Sequence, residues 1–353
     1  TDDTTLPISA TTFNSELNLG VYVVTGLDGQ SEWIGQTPAD SPIAIPECRY
    51  WYVRPESVLL INSTDALFEE LSTKKIPGLM LSYLPDGALT RVAQLEDLTY
   101  LDLRYASVPR EGLAPLESMT QIEHLGYPGG LYSKASDGLS YLKNLTQLES
   151  LDLSKTKVID NDLAILETMT QLRRLNLDGA EVSNFGLEHL AGLTNLQYLN
   201  LATSSIGDSG MEHLAKLNQL VALDLTDAPL SDAGLKHLGT MTTLQELHLG
   251  KEVNGISGHA TFGAKGVEHL SELPDIRILT LRSQTIEDDA MRYILKMATL
   301  ESLSLERTSI TDAGLVGLGN FEDLHTLNLL GTGISDDGMK YLRTMDALRH
   351  LNL

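Results

Sequence analysis

The sequence predicts an α/β repeat array in which short parallel strands and short helices stack unit upon unit. Three observations predict it. Leading aliphatic residues recur at Leu98, Ile122, Leu148, Leu172, Leu196, Leu220, Leu244, Ile276, Leu300, Leu324 and Leu348, spaced by 24 residues except for steps of 26 and 32. Within each unit, Leu-x-x-Leu-x-Leu sets apolar side chains at alternate positions, as a half-buried strand requires. A polar loop follows, then aliphatics three residues apart, the one-sided stripe of a short helix. One such unit has two apolar edges and buries them only against its neighbours, which is why the phrase repeats.

In chain order, residues 1–57 lie outside the period. Their phrases "LNLGVYVVTGL", "SEWIG" and "CRYWYVRPE" read as a small β region divided by Gly and Pro. Residues 58–75 contain "STDALFEELSTKK", an amphipathic helix begun by Ser63 or Asp65. Both segments are expected to cover the first coil; the alternative is a separate ligand-binding domain. The repeats then fill 76–353, about twelve units, starting at Ile76 and ending on an incomplete one. In the 300–323 unit, Leu303 and Leu305 alternate with Ser302, Ser304 and Glu306, Ile310 turns inward, and Leu315, Leu318 and Phe321 form the helical stripe. Asp312 opens that helix, and Asp160, Asn184, Asp208, Asp232, Asp288 and Asp336 take its place elsewhere. A carboxylate or amide there is expected to accept from free N–H groups of the first turn. Two units carry insertions between strand and helix, at 126–138 and 250–266, on one rim.

This pattern resembles the leucine-rich-repeat family. The phrase T-x-I-x-D-x-G-L-x-x-L-x-x-L is similar to bacterial repeats of the cysteine-containing subclass, in a cysteine-free version. Thr156, Ala180, Ser204, Ala228, Thr308 and Thr332 stand where that subclass has Cys or Asn. The resemblance implies a curved solenoid, with parallel strands on a concave face that binds and short helices on a convex one.

Composition narrows the function. Lys and Arg number 25 against 48 Asp and Glu, a net charge of −23, the wrong sign for nucleic acid or anionic membranes. The acidity serves solubility, a basic partner or diffuse calcium binding. Cys48 stands alone, so no internal disulfide framework exists. No apolar run reaches the length of a membrane span. The sequons at Asn62 and Asn144 are weak signs of secretion. The chain stops within the strand phrase "LRHLNL", so either the native chain is expected to continue past Leu353, or another chain covers Leu348, Leu351 and Leu353.

Enzyme motifs do not survive inspection. "GDSG" at 207–210 fills the slot of "TDAG" at 311–314, which makes Ser209 a variable helix-start residue. "GHATFGAK" at 258–265 inserts Ala264 before Lys265 and lacks the Ser or Thr of a phosphate loop. His189, His213, His237 and His269 share a helix slot with Tyr141, Tyr293 and Tyr341, a half-buried amphipathic position rather than a metal site. We expect no cofactor and no metal.

The outward positions of the strands are instead candidates for binding. Tyr100, Asp102, Arg104, Tyr105, Tyr127 and Tyr132 gather near the first insertion. Arg174, Tyr198 and His248 continue the face, and Lys251, His259 and Phe262 belong to the second insertion. Arg282 and Arg307, with Arg277, give a locally basic edge. Tyr and Arg are the residues that dominate interface energetics. The expected function is a non-enzymatic scaffold for a protein partner, or next a glycan, at a bacterial surface or in the periplasm; a reducing compartment also fits the single cysteine. Alternatives are a structural subunit that self-associates through its C-terminal coil, or the recognition fragment of a larger effector or enzyme.

Overall fold

In the computed structural model, the described residues are 11–25, 30–56, 64–129, 135–251, 261–283 and 285–353. Tyr132, His259, Asn62 and residues 130–134 and 252–260 of the two insertions lie outside them. The chain divides into two units, one formed by residues 1–158 and 168–175, the other by residues 159–167 and 176–353.

In the first unit, β1 (Thr11–Phe13) and β4 (Ile43–Ile45) form a small antiparallel pair. A larger sheet is made of β2 (Leu19–Val24), β3 (Ser31–Thr37), β5 (Tyr50–Pro55), β6 (Gly78–Met80), β7 (Tyr100–Asp102), β8 (His124–Gly126) and β9 (Ser150–Asp152). Its order is β3-β2-β5-β6-β7-β8-β9. β2 runs antiparallel to β3 and β5, whereas β5 through β9 are parallel. The non-repetitive strands thus join the repeat sheet edge to edge, with Val53 opposite Leu79. The helix Thr64–Thr73 precedes β6, and its Asp65 pairs with Arg91.

In the second unit, β10 (Tyr198–Asn200), β11 (Ala222–Thr226), β12 (Glu246–Gly250), β13 (Ile278–Arg282), β14 (Ser302–Ser304), β15 (Thr326–Asn328) and β16 (His350–Asn352) lie side by side in chain order, all parallel. Corresponding leucines stand opposite one another, as in Leu199–Leu223 and Leu223–Leu247, and are at most 1 % exposed. Leu351 and Leu353 are exposed, at 42 % and 56 %.

Many of the helical phrases are 3₁₀ turns rather than α-helices, including Arg110–Ser118, Asp160–Thr168 and Asp336–Tyr341. Spacing explains the preference. Neighbouring strands stand about 4.8 Å apart, whereas packed α-helices need about 8–10 Å, and the slimmer 3₁₀ turn reduces the mismatch.

The recurrent Asp does not cap its own helix as expected; it clamps the next unit. Asp160 accepts from the backbone N–H of Ser183 at 2.7 Å and from its hydroxyl at 2.6 Å. Asp288 holds Thr311 in the same two ways, at 2.8 and 2.6 Å, and Asp312 holds Ser335. The cap itself is the preceding Ser or Thr: the side chains of Ser231, Thr311 and Ser335 accept from the N–H two residues on. Asp suits this place because its two oxygens accept from a backbone N–H and a hydroxyl of the next unit at once, tying neighbouring units together. The clamp also explains the glycine of D-x-G. A Cβ on Gly186, Gly210, Gly234, Gly266, Gly314 or Gly338 would stand 2.3–2.8 Å from the clamping oxygen of the preceding unit. Glycine is the residue that lets that oxygen pass.

Candidate functional site

The polar face of the sheet is built by the residues that alternate with the core leucines. On several strands an Asp or Asn accepts from the N–H two residues ahead. Asp102 bonds Arg104, Asp152 bonds Ser154, Asn176 bonds Asp178, Asn200 bonds Ala202 and Asp224 bonds Thr226. This column is first a device that turns the chain out of the strand.

In the first unit two glycines interrupt the columns, and the site forms over them. Gly78 lies opposite Tyr100, next to β5, and the Tyr52 and Tyr100 rings stack across it at 4.9 Å. Tyr22 stacks on Tyr52 at 5.1 Å, with Arg54 over the Tyr22 ring. On the other side Tyr50 stacks on Tyr100 at 4.7 Å and on His124 at 4.3 Å. A row of aromatic rings therefore crosses β2, β5, β7 and β8.

Gly126 occupies the β8 place that Asp102 and Asp152 fill on β7 and β9. A Cβ there would meet Asp102 Oδ1 at 2.4 Å and Arg104 Cγ at 3.1 Å. Its absence lets Arg104 reach over β8. The guanidinium donates to Asp102 from Nη2 at 2.8 Å and from Nε at 3.0 Å, and to Asp152 from Nη1 at 2.9 Å. Burial works against the Arg104 charge, but the Asp102 hydrogen bonds and the two carboxylate charges outweigh it and hold its pKa above the ordinary value. Above Gly126 lies a small open recess of about 40 Å³, bordered by Tyr50, Tyr100, His124, Ser150, Arg104 and Arg174.

Burial dominates the other titrating groups. It pushes the Tyr50 hydroxyl up to about 12, although Arg174 and Arg49 pull it down. It drives the His124 imidazole down to about 4, helped by the Arg49 charge. His124 Nδ1 is buried without a hydrogen-bond partner. A histidine with a folded pKa below its unfolded value contributes stability that is present above pH 6.5 and lost as pH falls toward 4. We expect that loss to amount to about 3 kcal/mol. It should vanish in His124→Asn, which urea titrations of both proteins at pH 7 and pH 4 would show as a smaller pH difference for the variant.

The polar face of the second unit is a different kind of surface. His248 bonds Glu246 through Nε2 at 2.7 Å and Thr280 through Nδ1 at 2.9 Å. Burial opposes its charge, but the Glu246 hydrogen bond and the Asp224 and Glu246 charges keep its pKa above the usual one. The expected basic edge is not basic. Arg282 and Arg307 approach the buried Glu306 at 3.3 and 3.5 Å, and Arg277 pairs with Asp275 and Glu301.

Of the candidates read from sequence, the structure brings Tyr100, Asp102, Arg104 and Arg174 together at one recess, with Tyr105 exposed beside Arg104. Asp102 is no free contact, being 1 % exposed beneath Arg104. Tyr127 and Phe262 are removed from the binding surface, because both are fully buried. Counted from Ile122, Tyr127 takes the third inward place of Leu-x-x-Leu-x-Leu, and Phe262 takes the inward place of Leu230 before a helix. Tyr198 and His248 are half-buried on the other unit, and Lys251 is exposed there. Sequence reasoning missed Tyr50, Tyr52 and Tyr22, although Tyr50, Tyr52 and Arg54 alternate within one strand phrase. Among the described residues no group of three or more His, Cys, Asp or Glu is placed to hold a metal ion.

The leucine-rich-repeat family model matches residues 192–215 and 296–319. Among curated proteins no sequence matches this chain. Among solved structures, an internalin (inlF) from Listeria monocytogenes is similar, with a TM-score of 0.59 and 21 % identity over 80 % of this chain and 76 % of the internalin. The TLR13 structure solved with ssRNA13 is similar too, with a TM-score of 0.54 and 20 % identity, over 79 % of this chain and 39 % of that one. Repeat spacing, parallel strand order, the two matched units and the shared fold agree on a leucine-rich-repeat solenoid fold for this chain.

Proposed function

We propose that the chain is a non-catalytic scaffold that binds another protein through the polar face of its first unit. The observation that carries this reading is the recess over Gly126, where a stacked aromatic row meets the Arg104 clamp and Arg174. Tyr83 and Tyr105 follow their strands at equivalent positions of consecutive units and are 46 % and 67 % exposed. Rigid aromatics and arginines held in place lose little entropy on binding, which favours them as anchors. Asp102 and Asp152 spend their lone pairs on Arg104 and backbone N–H groups, as positioning groups do rather than general bases.

Other ligand classes fit less well. A similar structure is that of TLR13 with ssRNA13, but a net charge of −23 repels a phosphate backbone here. A sugar needs an open aromatic face, and the tyrosine faces of this row are taken up by one another. Among the described residues no helix is long and apolar enough to cross a membrane. The reading keeps the location expected from the repeat type, a bacterial surface or periplasm, where such a face meets partners.

The test is affinity capture with immobilised wild-type chain beside two variants. Tyr105→Ala with Arg174→Glu alters the first unit, and Thr280→Lys with Ser304→Lys alters the second. A specific protein should be retained by wild type and by the second-unit variant, and bound at least about tenfold more weakly by the first. Equal retention by all three, or loss confined to the second-unit variant, would overturn the assignment.

A further inference from the structure

The larger sheet of the first unit ends on β3, which has β2 on one side and, among the described residues, no strand on the other. At seven residues β3 is the longest described strand, and it is largely exposed. About half of its backbone N–H and C=O groups point away from β2, a row that another extended chain satisfies as a whole. Native edges are commonly blunted by lysine, proline or a bulge. Ser31–Thr37 contains neither lysine nor proline, and its one charge is Glu32. A bulge is present: Trp33 stands opposite Tyr22 and Gly35 opposite Val21, so Ile34 has no partner on β2. Ser31–Trp33 remains a regular three-residue stretch, the length at which β6 to β9 pair with one another. Tyr52 donates to the Ser31 hydroxyl at 2.9 Å and ties the start of that stretch to β5. Trp33 is in register with Tyr22, and Tyr22 with Tyr52, so Trp33 forms the outer end of the aromatic row. It is 57 % exposed.

We infer that the edge of β3 takes up an extended segment of a protein partner as an added strand beside Ser31–Trp33, with Trp33 as its apolar anchor and a lysine or arginine of the segment facing Glu32. The inference rests on the protein-binding reading of the first unit and gives that unit a second hold on its partner. Backbone hydrogen bonds supply the affinity of an added strand, and side chains at alternate positions supply its specificity. An exposed indole at the edge gains a large apolar contact when a strand covers it. Charge selects the guest. Glu32 is exposed, opposite charges across a strand pair are favourable, and a net charge of −23 attracts a basic segment. The same net charge opposes pairing with a second copy of this chain.

The test selects a phage-displayed library of twelve-residue peptides on wild type, Trp33→Lys, Glu32→Lys, and the double variant Tyr105→Ala with Arg174→Glu. Wild type should enrich peptides rich in β-branched residues, with Lys or Arg at one fixed position. Trp33→Lys should bind them at least about tenfold more weakly, and Glu32→Lys should enrich Asp or Glu at that position instead. Circular dichroism of both β3 variants should match wild type, since Trp33 and Glu32 are exposed. The best peptide, N-methylated one residue at a time, should lose binding at alternate residues only, because an added strand pairs through every second N–H. Sensitivity without that alternation, or peptides that wild type enriches no better than Trp33→Lys, would overturn the added strand. If those peptides depend on Tyr105 and Arg174, the protein-binding reading stands; if they depend on no altered residue, both fall. Light scattering in which wild type dimerises and Trp33→Lys does not would assign the edge to a second copy and overturn the basic guest.

Discussion

Valine in place of Gly78 should destabilise the first unit by about 3 kcal/mol, at the upper end of what overpacking costs. A Cβ at this position would stand 2.4 Å from the Trp51 carbonyl oxygen, 2.6 Å from Tyr52 Cβ and 2.9 Å from Tyr52 Cα. Two of these three neighbours are backbone atoms, which cannot turn aside as the end of a side chain can. Relief requires β5 to move away from β6, whose registered contact is Val53 with Leu79. The Tyr52–Tyr100 stack over Gly78 would open with it. Near-ultraviolet circular dichroism should lose its tyrosine signal, and urea should unfold the variant at lower concentration. A variant with wild-type spectrum and midpoint would show that this junction contributes little.

Arg104→Met should cost a comparable amount, about 3 kcal/mol at neutral pH, for a different reason. The arginine itself is 36 % exposed, but removing it strands Asp102, which is 1 % exposed, without its cation. Arg104→Met combined with Asp102→Asn should recover much of the lost stability, since the stranded charge is then gone. If the double variant is no better than the single one, lost packing of the arginine stem is the cause rather than charge.

Much of this fold was legible because the repeat exposes its own physics. Leu98 to Leu348 mark strand after strand, and every one of those phrases that is described ends in or beside a short strand. The site was harder to read because it depends on missing side chains. Gly78 stands beside Tyr100, and Gly126 between Asp102 and Asp152, and those departures from a column of side chains were the available signal. Tyr50 and Tyr52 belong to a segment with no repeat phrase, so nothing in the period places them beside Tyr100. Tyr127 was misread because the insertion that follows it looks like loop, although its distance from Ile122 makes it core. The Asp of D-x-G was misassigned because a cap and a clamp ask for the same residue, and only the neighbouring unit distinguishes them.

That clamp has a consequence for how such a gene can change length. Its donor and acceptor lie 23 residues apart, one unit less one residue, in the pairs Asp160–Ser183, Asp208–Ser231, Asp288–Thr311 and Asp312–Ser335. Within the regular units of residues 148–243 and 276–347, duplicating or deleting a 24-residue cassette therefore recreates a complete junction at the new boundary, whichever residue the cut falls on. The Asp232 clamp closes on Gly263 across 31 residues, so even a cassette of irregular length keeps its seam. Recombination can lengthen or shorten this array in whole steps without any compensating substitution, and selection on a partner of a different size has a ready means of response.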